Sequence, residues 1–471
     1  MIEHSTVFVG GAWVPSAATE SIPVLNPATE EVIASVPRGT AEDVDRAVRA
    51  AAAAFPGWAA TSTAERAAIL RRLARIVDER TDEMTRLIVS EVGQPISLAT
   101  ESQTRGAVAE LEIMAEALDE IDWSEKAGNA TVRRVPSGVV GAITAWNAPM
   151  RSIISKACAA ITAGCTAVVK PSEVAPLNAY LFTEWIHEAG LPAGVFNLVS
   201  GTGPEVGEAI VTHPDVNLVS LTGSVRAGRR VMELAAQGMK RVHLELGGKS
   251  ANIVLEDADF ARAISVGLDD AYRNSGQVCG GLTRLLVPRS RLAEAEEIAV
   301  AYAESFVIGD PMDPATTLGP VTTAEGLARV RGYIQGAIDD GVRMLTGGPE
   351  TPEGITRGYF VKPTLFSADN TVRIAREEIF GPVVVIIPFQ DEADAIAIAN
   401  DSDYGLAGAV WAADPERARR VAHQIRTGRV RINGAPLDKH ATHGGFKFSG
   451  MGREWGRYGV EEFLEYQSIM G

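Results

Sequence analysis

The chain has 471 residues, more than one ordinary hydrophobic core accommodates, so two or three domains are expected. Hydrophobic residues make up 46% and charged residues 22%, the balance of a globular protein with ample material for its cores. A formal net charge of -16 argues against nucleic acid as a main partner, because phosphate binding needs a basic face.

Three cysteines, Cys158, Cys165 and Cys279, supply neither a disulfide framework nor zinc-ligand spacing. No metal is expected, and a reducing compartment is. The opening residues MIEHSTVFVGGAWV lack the basic start and long apolar run of a secretory signal, and no apolar stretch is long enough to span a bilayer. The expectation is a cytoplasmic protein with no membrane partner.

Along the chain, residues 7–9 and 12–14 flank Gly10-Gly11, which predicts a β-hairpin. From Thr40 to about Leu118 the composition is helical, with breaks expected at Pro56-Gly57 and at Gly93 with Pro95. From about Val139 short β-rich runs (139–145, 167–170, 195–199, 216–221) alternate with amphipathic stretches such as 176–189 and 224–237. That alternation predicts βαβ units and a parallel sheet covered by helices on both faces. Ligand-binding residues should then follow the carboxyl ends of the strands. A second alternating region runs from about Ser250 to Asn433, with the strands SANIVL, TRLLVP, PVVVII and AGAVWA. HLELGGKS (243–250) is the natural junction. The tail from about Gly459 presents Phe463, Leu464 and Tyr466, exposed unless paired, and such a tail often docks on another subunit.

Cys279 sits in NSGQVCGG, where glycines let backbone approach a ligand and aim N–H groups at developing charge. It reads either as a nucleophile or as a small buried hydrophobe. Cys158 and Cys165, in KACAAITAGC, read as core. Glu245 lies in HLELGG among apolar residues, where desolvation raises a carboxyl pKa and suits a general base; a structural ion pair is the other reading. Asn147, in AWNAP after a strand, can donate to an oxyanion or simply form a turn. Lys170 and Glu173, in VVKPSE, are placed to read a ribose, or form a surface turn. Gly203 and Gly207 in SGTGPEVG, and Gly223 and Ser224 in LTGSVRAG, follow strands without fitting G-x-G-x-x-G. Ser224 begins a helix, where a phosphate can accept its hydroxyl and the free N–H groups.

In order, AWNAP, KPSE, LTGS, LELGGKS, GQVC, EEIFGPV and GGFKFSGMGRE resemble the aldehyde dehydrogenase superfamily along almost the whole chain. The resemblance implies an α/β fold: a Rossmann-type cofactor domain at 1–118 and 137–246, a second α/β catalytic domain at 247–445, and a small β oligomerisation arm and tail at 119–136 and 446–471. It implies oxidation of an aldehyde to the acid with NAD, NADP being possible, in a homodimer or homotetramer. Cys279 resembles the nucleophile, Glu245 the base and Asn147 the oxyanion donor. Trp146, Lys170, Glu173, Gly203, Gly207, Gly223, Ser224, Glu378 and Phe380 resemble the cofactor-binding set. Of these, Glu378 corresponds to the carboxylate on the nicotinamide ribose and Phe380 to the ring beside the nicotinamide. Two departures concern the substrate. The family often has an aromatic at the position of Ala148, and its Pro-Phe-Gly-Gly appears here as Thr442-His443-Gly444-Gly445. With Ser152 and Ser155 on the same helix face as Ala148, and His443 near, a wide tunnel for bulky aromatic, branched or terpenoid aldehydes is expected. Competing readings are a CoA-acylating semialdehyde dehydrogenase, a thiol hydrolase, and a non-catalytic structural or binding protein on the same fold.

Overall fold

The computed structural model describes residues 2–471. Its two large sheets follow from the two alternating regions. In the first, the parallel strands Arg241–Glu245, Leu218–Thr222, Val139–Ile143, Thr166–Lys170 and Phe196–Leu198 lie side by side in that order. The hairpin Thr6–Val9/Ala12–Pro15 adds two antiparallel strands at one edge. Its turn is Gly10-Gly11 with φ of 62° and 86°, the left-handed pair that such a turn requires. Alternation along the strands divides the core. Val140 and Ala142 join one apolar cluster, Val139 and Ile143 the cluster on the opposite face.

The second sheet runs Arg343–Thr346, Thr364–Ser367, Val383–Phe389, Arg284–Pro288, Ala251–Val254, Ala407–Trp411, Arg429–Ile432. All its pairings are parallel except the first. Val385 and Ile387 pack on one face, Val384 and Ile386 on the other.

One expectation needs correction. The break at Pro56-Gly57 is absent: the helix Ala41–Ala59 carries Pro56 within it. Pro56 gives up the backbone bond to the Ala52 carbonyl, a local cost that the burial of Trp58 on the same helix offsets. The chain breaks instead just beyond, where Ser62 caps Thr63–Glu79 through a reciprocal bond with Glu65. Gly93 does end the helix Thr81–Val92, in the left-handed conformation, as expected. The tail forms the short strand expected of it, and it is paired. Phe463 and Leu464 are buried, while Tyr466 is 68% exposed. Leu464–Met470 pairs antiparallel with Ala130–Pro136, which pairs with Ser124–Ala127, giving a separate three-stranded sheet. The short strand Gly450–Met451 joins Arg241–Glu245 at the edge of the first large sheet.

Candidate active site

The carboxyl ends of the first sheet face the amino ends of the second. Thr222 and Glu245 end their strands, Asn147 follows Val139–Ile143, and Trp146, Ala148, Ser152 and Ser155 flank it. From the other side come Cys279, before Arg284–Pro288, Glu378 and Phe380, before Val383–Phe389, and Arg429, the first residue of its strand. The rule that site residues follow strands therefore holds for the first sheet and reverses for the second, because the segment 246–250 joins the sheets end to end.

The loop bearing Cys279 is tightly shaped. Asn274, Ser275 and Gly276 all have positive φ. A Cβ on Gly276 would stand 2.0 Å from the Gly381 carbonyl oxygen, so only glycine fits there. The Ser275 hydroxyl donates to the Gly319 carbonyl at 2.7 Å, and Gln277 accepts from the Thr322 N–H at 2.9 Å. Asn147 Nδ2 donates to the Gln277 carbonyl at 2.9 Å, which ties it to the same loop and leaves its second amide hydrogen free.

Cys279 opens onto two pockets. One is lined by Asn147, Ala148, Ser152, Ser155, Glu245, Arg151, Arg273, Arg429, His443 and Trp455, among others. Burial and the neighbouring Glu245 push the Cys279 thiol up to about 12. Glu245 is buried with neither carboxylate oxygen hydrogen-bonded. Burial, reinforced by Glu454, raises its carboxyl well above the usual range.

His443 Nε2 stands 3.3 Å from Glu245 Oε2. Its Nδ1 lies 2.6 Å from Arg429 Nη1. Arginine can only donate, so Nδ1 accepts and the ring hydrogen sits on Nε2, near Glu245 but without a hydrogen bond to it. Burial, then the charge of Arg429, holds His443 well below its ordinary pKa, so it is neutral. Its ring stacks on Trp455 with centroids 4.6 Å apart. Deeper, Lys156 Nζ pairs with Glu454 at 2.8 Å and donates to Ser220 at 3.2 Å. Burial opposes ionisation of Glu454, but the groups around it, Lys156 foremost, together outweigh burial and hold the carboxyl well down.

The second pocket is lined by Trp146, Asn147, Gly223, Ser224, Gly247, Cys279, Arg329, Glu378 and Phe380. Trp146 and Phe380 meet edge to face, centroids 5.5 Å apart. Glu378 accepts from the Gly248 N–H at 3.1 Å and lies so close to Gly247 that a Cβ there would be 2.0 Å from its oxygen. Burial pushes Glu378 up to about 6. Ser224 caps Val225–Gln237 by accepting from the Ala227 N–H. Lys170, Glu173, Gly203 and Gly207 do not line this pocket. They gather beyond it, at the end of Thr166–Lys170. There Lys170 Nζ donates to Pro171 and Gly201 carbonyls and to Glu173 at 2.7, 2.8 and 3.0 Å. Nothing lies within 4 Å of a Cβ placed on Gly203, which leaves that turn open to a ligand.

The model of the aldehyde dehydrogenase family matches residues 13–469. The chain belongs to that family. Among relatives of the dehydrogenase is the 3-succinoylsemialdehyde-pyridine dehydrogenase of a Pseudomonas species, 46% identical over all of this chain and 99% of that protein. A solved mutant of aldehyde dehydrogenase C from Pseudomonas syringae, complexed with NAD+ and octanal, superposes with a TM-score of 0.98 at 46% identity, over 99% of this chain and 96% of that one. An aldehyde dehydrogenase of Mycobacterium tuberculosis complexed with NAD+ gives 0.97 at 42%, over 100% and 98%.

Sequence reasoning missed Arg151, Arg273, Arg429, Trp455 and the Lys156–Glu454 pair. The one local signal was RVRI at 429–432, where arginines alternate with apolar residues in a strand.

Proposed function

We propose that the chain oxidises an aldehyde to its carboxylic acid with NAD, through a thioester on Cys279 that water then hydrolyses. The observation that carries this is a partly exposed Cys279 facing the same pocket as a buried carboxylate, Glu245, whose oxygens are unengaged.

At rest Cys279 is a thiol, so its proton must leave before the sulfur attacks. That proton passes to water in the open pocket, and the small thiolate fraction so formed is the attacking species. The sulfur bonds to the aldehyde carbon, and the new oxyanion meets the free amide hydrogen of Asn147 and the N–H of Cys279. The dinucleotide, when bound, supplies the hydride acceptor through which the hemithioacetal becomes the thioester. Glu245 then accepts a proton from water, whose oxygen bonds the thioester carbon and releases the acid and the Cys279 sulfur.

The second pocket suits a dinucleotide. Trp146 and Phe380 form an aromatic wall, Glu378 can accept from a ribose, and the Ser224 helix start faces a phosphate. Glu173, Gly203 and Gly207 would hold the adenine end, with Lys170 fixing Glu173 and the Gly201 turn in place. All three donors of Lys170 are spent within the protein, and Glu173 opposes a 2′-phosphate, so NAD is favoured over NADP. Ala148, Ser152 and Ser155 leave room for a bulky substrate. The arginines around them disfavour a wholly apolar terpenoid chain, which would strip water from charge without replacing it.

Cys279→Ala should abolish NADH formation on mixing with NAD and a panel of aldehydes, while NAD still binds. A variant that oxidises aldehydes near the wild-type rate would remove Cys279 from this role.

A further inference from the structure

We propose that the aldehyde pocket contains a carboxylate-binding subsite anchored by Arg273 with Arg151 beside it, so that the chain takes aldehydes carrying a carboxylate at their far end. This rests on the reading of Cys279 and Glu245 above.

Arg273 is the residue after the helix Phe260–Tyr272 and lines the pocket that Cys279 enters. Its side chain is half-buried. Among the described residues, no carboxylate lies within ion-pair distance of it and no acceptor takes its hydrogens; Asp270 and the exposed Glu101 act on its charge only from further off. Asp270 holds Arg431 at 2.8 Å and the Leu282 N–H at 3.2 Å. Glu110 is shared by Arg151 at 3.4 Å and Lys439 at 3.2 Å. Glu454 is bound to Lys156. Arg273 is thus the pocket arginine without a side-chain partner: Arg151 shares Glu110 with Lys439, and Arg429 is held against His443.

Arg429 adds positive charge beside Gly280, where its Nη2 would stand 2.6 Å from a Cβ. It is engaged by His443 and Trp455, whereas Arg273 is not. Burial and the charge of Arg151 both press on the Arg273 guanidinium. A guanidinium does not shed its proton, so the strain is relieved by a counter-ion. Its planar fork fits the two oxygens of a carboxylate. An alkyl aldehyde offers nothing in exchange for the lost water.

The test compares ω-oxo carboxylates with n-alkanals of equal length, by kcat/KM with NAD. Wild type should favour the oxo acids by roughly 10- to 100-fold, the range of a hydrogen-bonded charge pair. In Arg273→Met that ratio should fall toward one, chiefly through KM for the oxo acid, and Arg273→Lys should retain part of it. Calorimetric binding of glutarate to the NAD-loaded protein should weaken in parallel, with thermal melting showing that the variants fold. Equal rates for both aldehyde classes, a phosphate-bearing aldehyde outranking the oxo acids, or glutarate binding unchanged in Arg273→Met would overturn the subsite. If wild type oxidises neither class, the Cys279 and Glu245 reading fails separately. Glutarate binding that depends on Arg273 would still support the subsite, and its absence would overturn it.

Discussion

At Cys279, burial and Glu245 push the thiol up to about 12, so near neutrality only a small thiolate fraction exists. Below that value the fraction grows with each step in pH. Alkylation of Cys279 by iodoacetamide, without NAD, should accelerate toward about tenfold per unit between roughly pH 6.5 and 8.5. In Glu245→Gln the opposing charge is gone, so the rate at a given pH should rise. A wild-type plateau by about pH 7 would contradict the high thiol pKa. Both residues stood out in the sequence, but their glycine-rich surroundings left a buried hydrophobe and a structural ion pair open beside the catalytic readings; the ordered family motifs pointed to the roles. Arg273 and Arg429 did not stand out. A charged residue in an amphipathic helix or strand reads as a solvated face, and whether it has a partner is decided by residues far away in sequence. His443 stood out only as a departure from Pro-Phe-Gly-Gly. Its tautomer depends on Arg429, 14 positions earlier.

The strands of both sheets were legible where β-rich runs ended in turns. Arg241–Glu245 was read as part of a junction, because its last residues merge into the glycine pair that joins the sheets. Arg429–Ile432 was hidden by its arginines and Thr364–Ser367 by its brevity. Pro56 misled because the cost of one lost helix bond is visible locally, whereas the burial of Trp58 that offsets it is not. At the end of Thr166–Lys170, Glu173 is paired with Lys170 through one oxygen and partly exposed, which leaves its other oxygen to meet a ribose. Glu173→Gln should narrow the NAD over NADP preference by roughly fivefold, about 1 kcal/mol for a partly exposed charge. Kinetics with each cofactor at fixed aldehyde check this; an unmoved ratio would place Glu173 away from the ribose.

For the whole molecule, we propose the division into 1–118 with 137–246, 247–445, and an arm with tail at 119–136 and 446–471, in a homodimer or homotetramer. Leu464–Met470 supports the assembly. It lies at the edge of its sheet, with Tyr466, Ile469 and Met470 68%, 47% and 69% exposed. An open apolar edge of that kind invites a second strand. Light scattering should give a mass of two or four chains, and truncation after Phe463 should shift it downward. A monomeric full-length protein would refute the role of the arm.

The most direct test of the thioester route is stopped-flow NADH formation by Glu245→Gln, followed by intact mass. The amide cannot accept a proton from water, so hydride transfer should complete once and the acid should not leave. The expected result is one NADH per site in a burst, slow turnover afterwards, and the mass of the acyl group on the peptide containing Cys279. Unchanged steady-state turnover, or a burst with no acyl mass on that peptide, would contradict it.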